Sequence, residues 1–240
     1  MRSELYKYPR TLHLPFTQHS TTDDKIMSEA DMLRIFSGKE VVVTEKLDGE
    51  NTNLYPDWMH ARSLDGRDHP TRHWVKGLWG SIKKDIPTGW RISGENVFAE
   101  HSIHYRNLES YFYVFGVWNE ANVCLSWDDT VAICDALGLK TVPVLWRGIW
   151  SASDVRAQYS GKSTFRGSYD SETFRRTGQE VEAQEGYVVR LAEPLPFPVG
   201  EDNERLCLEG VGKFVRKGHV TTADHWLDQV PVKNELKEQS

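Results

Sequence analysis

The run Tyr111-Phe112-Tyr113-Val114-Phe115-Gly116-Val117-Trp118 constrains the fold most, because it is an unbroken string of aromatic and β-branched residues relieved by one glycine. Such residues suit a pleated, packed surface, so the run reads as a strand. Glu40-Val41-Val42-Val43-Thr44 and Gly186-Tyr187-Val188-Val189-Arg190-Leu191 read the same way, and shorter signals stand at Trp90 to Ser93, Thr141 to Leu145 and Lys213 to Val215. Helix signals are fewer. Ser126-Trp127-Asp128-Asp129 opens one helix as a capping-box variant and Gly138 closes it; Trp74, Leu78 and Ile82 recur at i, i+4 and i+8 on a second; Ser28 to Gly38 is a third. Strands separated by scattered helices, without regular βαβ alternation, predict an α+β domain built on antiparallel sheets.

The chain has 240 residues, enough to bury the core of one large domain. No internal repeat, low-complexity run or Gly/Ser linker marks a boundary, so residues 1–240 are read as a single domain. A composition of 39% hydrophobic and 27% charged residues, with a mean hydropathy of -0.56, excludes disorder, collagen and coiled coil. No stretch approaches the ~20 apolar residues of a membrane span, and the start Met1-Arg2-Ser3-Glu4-Leu5 lacks the apolar centre of a signal peptide. A cytoplasmic location without membrane contact is therefore expected. Cys124, Cys134 and Cys207 lie far apart and form no CxxC pair, which predicts core residues in place of disulfides or a zinc site. The net charge of -6 argues against an overall basic coat but leaves room for a local basic groove.

The segment Thr44-Glu45-Lys46-Leu47-Asp48-Gly49-Glu50-Asn51 ends a β run in a lysine and turns at Asp48-Gly49. A lysine at the mouth of a sheet can act as a nucleophile if burial or nearby positive charge lowers its pKa, since only the neutral amine attacks. A hairpin turn with a solvated lysine is the other reading. Downstream, Gly94-Glu95 follows a strand signal, Phe112-Tyr113-Val114-Phe115 is aromatic, Glu185-Gly186 starts a strand, and Lys213-Phe214-Val215-Arg216-Lys217 closes the series. Acids and cations placed in this order on strand signals describe a phosphate-handling pocket.

This series, spanning residues 44–217, resembles the covalent nucleotidyltransferase superfamily of polynucleotide ligases and capping enzymes, and most closely its nick-sealing, ATP-dependent RNA ligases. The resemblance implies that Lys46, in Glu45-Lys46-Leu47-Asp48-Gly49, is the nucleophile that forms lysyl-AMP, with Glu45 and Asn51 beside it at the nucleotide. It implies that Arg62 contacts the phosphate and ribose region, Glu95 the ribose hydroxyls, and Phe115 the adenine face. Glu185 would organise the metal together with Asp48, and the choice among Lys213, Arg216 and Lys217 for the α-phosphate stays open. Lys46, Asp48 and Lys213 would form the catalytic set. ATP and Mg²⁺ or Mn²⁺ are the implied cofactors, and RNA ends bearing a 5'-phosphate and a 3'-hydroxyl the implied partners, prepared by an end-healing kinase or phosphatase.

The implied fold is an adenylation domain of twisted antiparallel sheets flanked by helices. Only 23 residues follow Lys217, too few for the five-stranded OB barrel that accompanies DNA ligases and capping guanylyltransferases. A non-catalytic nucleotide-binding or RNA-binding module of the same fold is a further alternative. On the ligase reading, Lys213, Lys217 and the metal neutralise the phosphate, and the cations depress the pKa of Lys46. Glu95 and Glu185 balance that charge.

Other residues carry weaker signals. His69 and His73 stand at a zinc-compatible spacing, but no third ligand accompanies them. His101 and His104 sit either near the nucleotide or in a plain loop. Arg62, Arg67, Arg72, Lys76, Lys83 and Lys84, with Arg175-Arg176, form either basic tracks for an RNA backbone or ordinary solvated charge. Tyr8-Pro9-Arg10 and His13-Leu14-Pro15 are candidates for touching the RNA end, with terminal packing as the alternative.

Overall fold

The computed structural model describes residues 3–22, 24–64, 68–199, 207–217 and 231–238. In chain order the strands are β1 (Arg10–His13), β2 (Glu40–Lys46), β3 (Glu50–Leu54), β4 (Met59–Ala61), β5 (Arg91–Asn96), β6 (Ile103–His104), β7 (Phe112–Trp118), β8 (Val123–Cys124), β9 (Lys140–Thr141), β10 (Val144–Ile149), β11 (Tyr169–Asp170), β12 (Gly186–Leu191), β13 (Leu195–Pro196) and β14 (Cys207–Val215). The helices are α1 (Glu29–Phe36), α2 (His73–Ile82), α3 (Trp127–Leu137), α4 (Ala152–Arg156) and α5 (Ser171–Thr177).

Two larger sheets organise these elements, one of five strands in the order β1-β14-β12-β2-β10 and one of seven that runs β13-β8-β7-β5-β3-β4 with β9 joined to β7. Most pairings are antiparallel, as the strand pattern predicts, but β1 runs parallel to β14 and β9 parallel to β7, so both sheets are mixed. The antiparallel expectation is corrected at these two edges. The strand expected over Thr141 to Leu145 is also divided: β9 belongs to one sheet, β10 to the other, and Val142-Pro143 lies between them. Proline has no N–H to donate to a ladder, which makes it the natural point for the chain to change sheets.

Side chains alternate across β2, sending Val41 and Val43 into a core with α1 residues Met32, Ile35 and Phe36, and Val42 into a second core shared with the other sheet. A third core packs α2 and α3 residues, among them Val75, Ile82 and Cys134, on Phe112 and Val114 of β7. The three helices expected from the sequence form as α1, α2 and α3, with α1 ending at Phe36, short of Gly38, whereas α4 and α5 are not anticipated. Ser28 and Ser126 accept from the backbone N–H groups of Asp31 and Asp129, and Gly138 closes α3 at a left-handed φ of 66°. Cys124 and Cys134 are buried, Cys207 is half-buried, and all three are free thiols.

Candidate active site

Strands β2, β12 and β14 lie side by side, with Lys46 opposite Gly186 and Thr44 opposite Val188, which in turn faces Lys213. Residues paired across a ladder share a face, so Lys46 and Lys213 project from the same side of the sheet on either flank of β12. A pocket of about 270 Å³ opens over this face, with Asn51, Glu95 and Phe115 of the seven-stranded sheet forming its opposite wall. Glu45, Arg62 and the amino-terminal residues Tyr8, Pro9 and Arg10 also line it.

Lys46 ends β2, and its Nζ donates to Glu185 Oε1 at 2.5 Å. Burial pulls the lysine pKa down, but Glu185, Glu95 and Asp48 outweigh it and hold the pKa above the ordinary value. The expectation that cations depress Lys46 is thus reversed, because carboxylates dominate its surroundings. Glu95 on β5 responds in the opposite sense: burial pushes its carboxyl up to about 8, with Lys46 opposing and Glu185 and Asp48 adding to the rise. Glu45 is buried, and its Oε2 accepts from the Thr164 N–H at 2.9 Å and hydroxyl at 2.5 Å. Asn51 Oδ1 accepts from Asn53 Nδ2 at 3.0 Å.

Phe115 owes its direction to an irregularity in the ladder. The partners of Ser93 and Gly94 jump from Gly116 to Val114, leaving Phe115 as the extra residue of a bulge. Bulges re-aim side chains. Phe115 is the one half-exposed residue in an otherwise buried strand, and it faces the pocket. The Tyr8 ring meets it edge-on at 5.1 Å.

Lys213 reaches the pocket, whereas Arg216 and Lys217 do not line it. Arg216 is paired with Asp170, and Lys217 is exposed. Asp48 also lies outside the pocket lining, its Oδ2 accepting from Ser102 N–H at 2.7 Å and Ser102 hydroxyl at 2.5 Å. Its backbone N–H donates to the Tyr105 hydroxyl at 2.9 Å, so Asp48 pins the turn after the nucleophile to the 102–105 segment.

The weaker sequence signals resolve in several ways. His69 caps the short 3-10 turn that precedes α2, and His73 stands 3.5 Å from Asp68. His104 lies between Glu100 at 2.7 Å and Glu235 at 3.1 Å. Arg72 pairs with Glu50, Lys76 with Asp68 and Arg175 with Glu100, while Lys83 lies over the Trp79 ring, so much of the supposed basic track is already neutralised or stacked. Arg67 lies outside the described residues.

Two pocket residues escape the sequence reading. Arg190 is buried and donates to the Leu191, Phe115 and Leu125 carbonyls, tying β12 to the opposite sheet. Asp24 approaches Lys213 and His13. Neither carries a local signal of its role, because the contacts that matter to the pocket, Arg190 with Phe115 and Leu125 and Asp24 with Lys213, join residues remote in sequence.

Among the described residues no group of three or more His, Cys, Asp or Glu side chains forms a metal cluster. Magnesium takes only one or two carboxylates and completes its shell with phosphates and water. The buried Glu185 carboxylate beside Lys46 meets that sparse requirement, whereas Asp48 is turned to Ser102.

A family model described as RNA ligase matches residues 39–207. Among solved structures, an apo mutant of Naegleria gruberi RNA ligase aligns with a TM-score of 0.52 at 16% identity, covering 87% of this chain and 59% of that one. A second Naegleria gruberi RNA ligase mutant, with ATP and Mn, gives 0.51 at 17% identity, covering 89% and 60%. An archaeal ATP-dependent RNA ligase gives 0.50 at 14% identity, covering 88% and 48%. These likenesses establish the fold, and this chain spans three fifths or less of those proteins. No curated protein matches the sequence.

Proposed function

The chain belongs to the RNA ligase family, and from that premise we propose that it is an ATP-dependent RNA ligase acting through lysyl-AMP. The observation that carries this reading is Lys46, paired with buried Glu185 and facing a pocket that gathers Lys213, Glu95 and Phe115. In the first step the neutral Nζ attacks the α-phosphorus of ATP; a P–N bond forms, the α–β anhydride breaks, and pyrophosphate leaves with the electron pair. AMP then passes to an RNA 5'-phosphate, and a 3'-hydroxyl displaces it to join the ends.

The residues divide this work. Lys46 must surrender a proton before it attacks, and Glu185 Oε1 at 2.5 Å is the acceptor already in contact. Lys213 brings positive charge to the phosphate from the far side of β12, Phe115 stacks on the base, and Glu95 accepts from the ribose hydroxyls. Arg62, at the pocket wall, faces the phosphates, while Glu45 and Asn51 frame the base and sugar. Glu185 would hold magnesium, which when bound would supply charge neutralisation at the phosphates. The chain works as a single catalytic domain in the cytoplasm, on ends that an end-healing kinase or phosphatase has prepared.

Incubation with α-labelled ATP and Mg²⁺ followed by a denaturing gel tests the first step. Label from ATP, absent from Lys46→Ala, supports it; label from GTP alone moves the chain to capping chemistry. No label from folded protein favours a binding module.

A further inference from the structure

The two lysines on the catalytic face are each matched to a carboxylate of their own. Lys46 has Glu185, within the residues that match the family; Lys213 has Asp24, and both members of that second pair lie outside residues 39–207. Asp24 is held with care. Thr21 donates to its Oδ2 from both backbone N–H and hydroxyl at 2.9 Å, and the Asp24 N–H returns a bond to the Thr21 carbonyl at 3.1 Å. The other oxygen, Oδ1, is thereby aimed inward, 3.3 Å from Lys213 Nζ and 3.2 Å from Nε2 of buried His13.

The turn itself is fixed to the catalytic sheet. His13 N–H donates to the Lys25 carbonyl at 2.8 Å, Met27 N–H to the His13 carbonyl at 2.9 Å, and His13 on β1 is the register partner of Lys213 on β14. One carboxylate oxygen thus belongs to the turn and the other to the pocket.

We propose that Asp24 is a positioning residue for the reaction, holding the Lys213 ammonium over the face that carries Lys46. The proposal rests on the ligase reading of that pocket. A lysine ammonium on a four-carbon stem has no geometry of its own, and its repulsion by Lys46 on the same face would drive it aside. Asp24 supplies the opposing attraction from an anchored point, and an incoming phosphate takes over the ammonium where Asp24 has left it.

A carboxylate that merely closes its turn would affect the protein independently of Lys213, and a double-mutant cycle separates the two roles. Single-turnover lysyl-AMP formation at saturating ATP is measured for Asp24→Asn, Lys213→Ala, their combination and Asp24→Glu, with thermal unfolding of each. Asp24→Asn is expected to slow the step by at least about tenfold, in line with the cost of misplacing a group near the reacting atoms. Lys213→Ala slows it as much or more, the double variant is no slower than Lys213→Ala, and Asp24→Glu recovers most of the rate. A wild-type rate for Asp24→Asn, or the same factor lost again in the Lys213→Ala background, overturns the proposal.

If Asp24→Asn does not fold, Thr21→Val removes the hydroxyl bond to Oδ2 and loosens the anchor while keeping the Asp24 carboxylate itself. It should slow the wild-type background only, and an equal loss without Lys213 overturns the proposal. Failure of the wild-type protein to label with ATP removes the ligase reading and this proposal with it. Normal labelling with a neutral Asp24→Asn removes the Asp24 role alone.

Discussion

Replacing Gly186 by alanine tests whether the Lys46–Glu185 pair depends on the close approach of two strands. Gly186 pairs with Lys46 on β2 and with Val215 on β14, and a Cβ there would stand 1.9 Å from the Phe214 carbonyl oxygen and 2.9 Å from its carbon. Non-bonded heavy atoms settle at roughly 3.5 Å or more, so β12 and β14 must part by more than about 1 Å. That opening falls beside the Arg216 N–H bond to the Glu185 carbonyl at 3.0 Å, and it carries Glu185 with it. Overpacking of this kind costs about 1–3 kcal/mol, which lowers Tm by several degrees in a chain of this size. A displacement of about 1 Å next to the reacting atoms costs about 10²-fold in rate.

The expectation is therefore a folded variant, slightly less stable, in which lysyl-AMP forms about 100-fold more slowly. Gly77→Ala is the control. Gly77 lies inside α2, and a methyl group added there would meet nothing within 4 Å, so alanine should stabilise the helix by ~0.5–1 kcal/mol and leave the rate alone. A Gly186→Ala protein that labels at the wild-type rate would refute the claim that strand spacing sets the geometry of the pair.

Three further outcomes follow from named contacts. Phe115→Ala removes the stacking surface at the bulge and should weaken ATP binding by about 1–3 kcal/mol, read by titration calorimetry; unchanged affinity would place the base elsewhere. Glu95 has a folded-state pKa of about 8 against an ordinary 4.5, so its contribution to stability is complete below 4.5 and is lost as pH rises through 8. Glu95→Gln should flatten that decline in a series of Tm measurements across the interval, and an unaltered slope would contradict the burial argument. Asn234 is buried, accepting from the Tyr105 N–H at 2.8 Å and donating to the Val97 and Ala99 carbonyls at 2.9 and 3.2 Å. Asn234→Ala should cost about 1–3 kcal/mol and raise amide exchange across 231–238, whereas protection at the wild-type level would show that the tail is held elsewhere.

What the sequence makes legible is local. Val41 to Val43, the aromatic run ending at Trp118 and the Tyr187 to Leu191 run announce the central strands because β-branched and aromatic residues suit no other packing so well. Ser28, Ser126 and Gly138 mark helix ends by side-chain capping and a positive φ, which act over three or four residues. The parallel pairing of β1 with β14 is not legible, since Arg10-Thr11-Leu12-His13 has no strong strand pattern and its partner lies some 200 residues away. The same distance hides the Asp24 contact with Lys213.

The direction of the Lys46 shift is hidden for a related reason. The sequence places Lys213 and Lys217 as well as Glu95 and Glu185 in one site but gives no distances, and the 2.5 Å contact with Glu185, 139 residues away, together with Glu95 and Asp48, decides the sign. Asp48 illustrates the limit of motif reading: its place in the string is plain, yet its carboxylate binds Ser102 across a separation of 54 residues. Arg216 likewise stands in the right string but turns to Asp170.

The central claim is that Lys46 is the nucleophile, and peptide mass spectrometry tests it most directly. The protein is incubated with ATP and Mg²⁺, denatured at neutral pH, digested and searched for a peptide whose mass has risen by one AMP. The expected result is modification on Lys46 alone, reversed when pyrophosphate is added before denaturation. AMP on Lys213 or another side chain, with Lys46 unmodified, would contradict it.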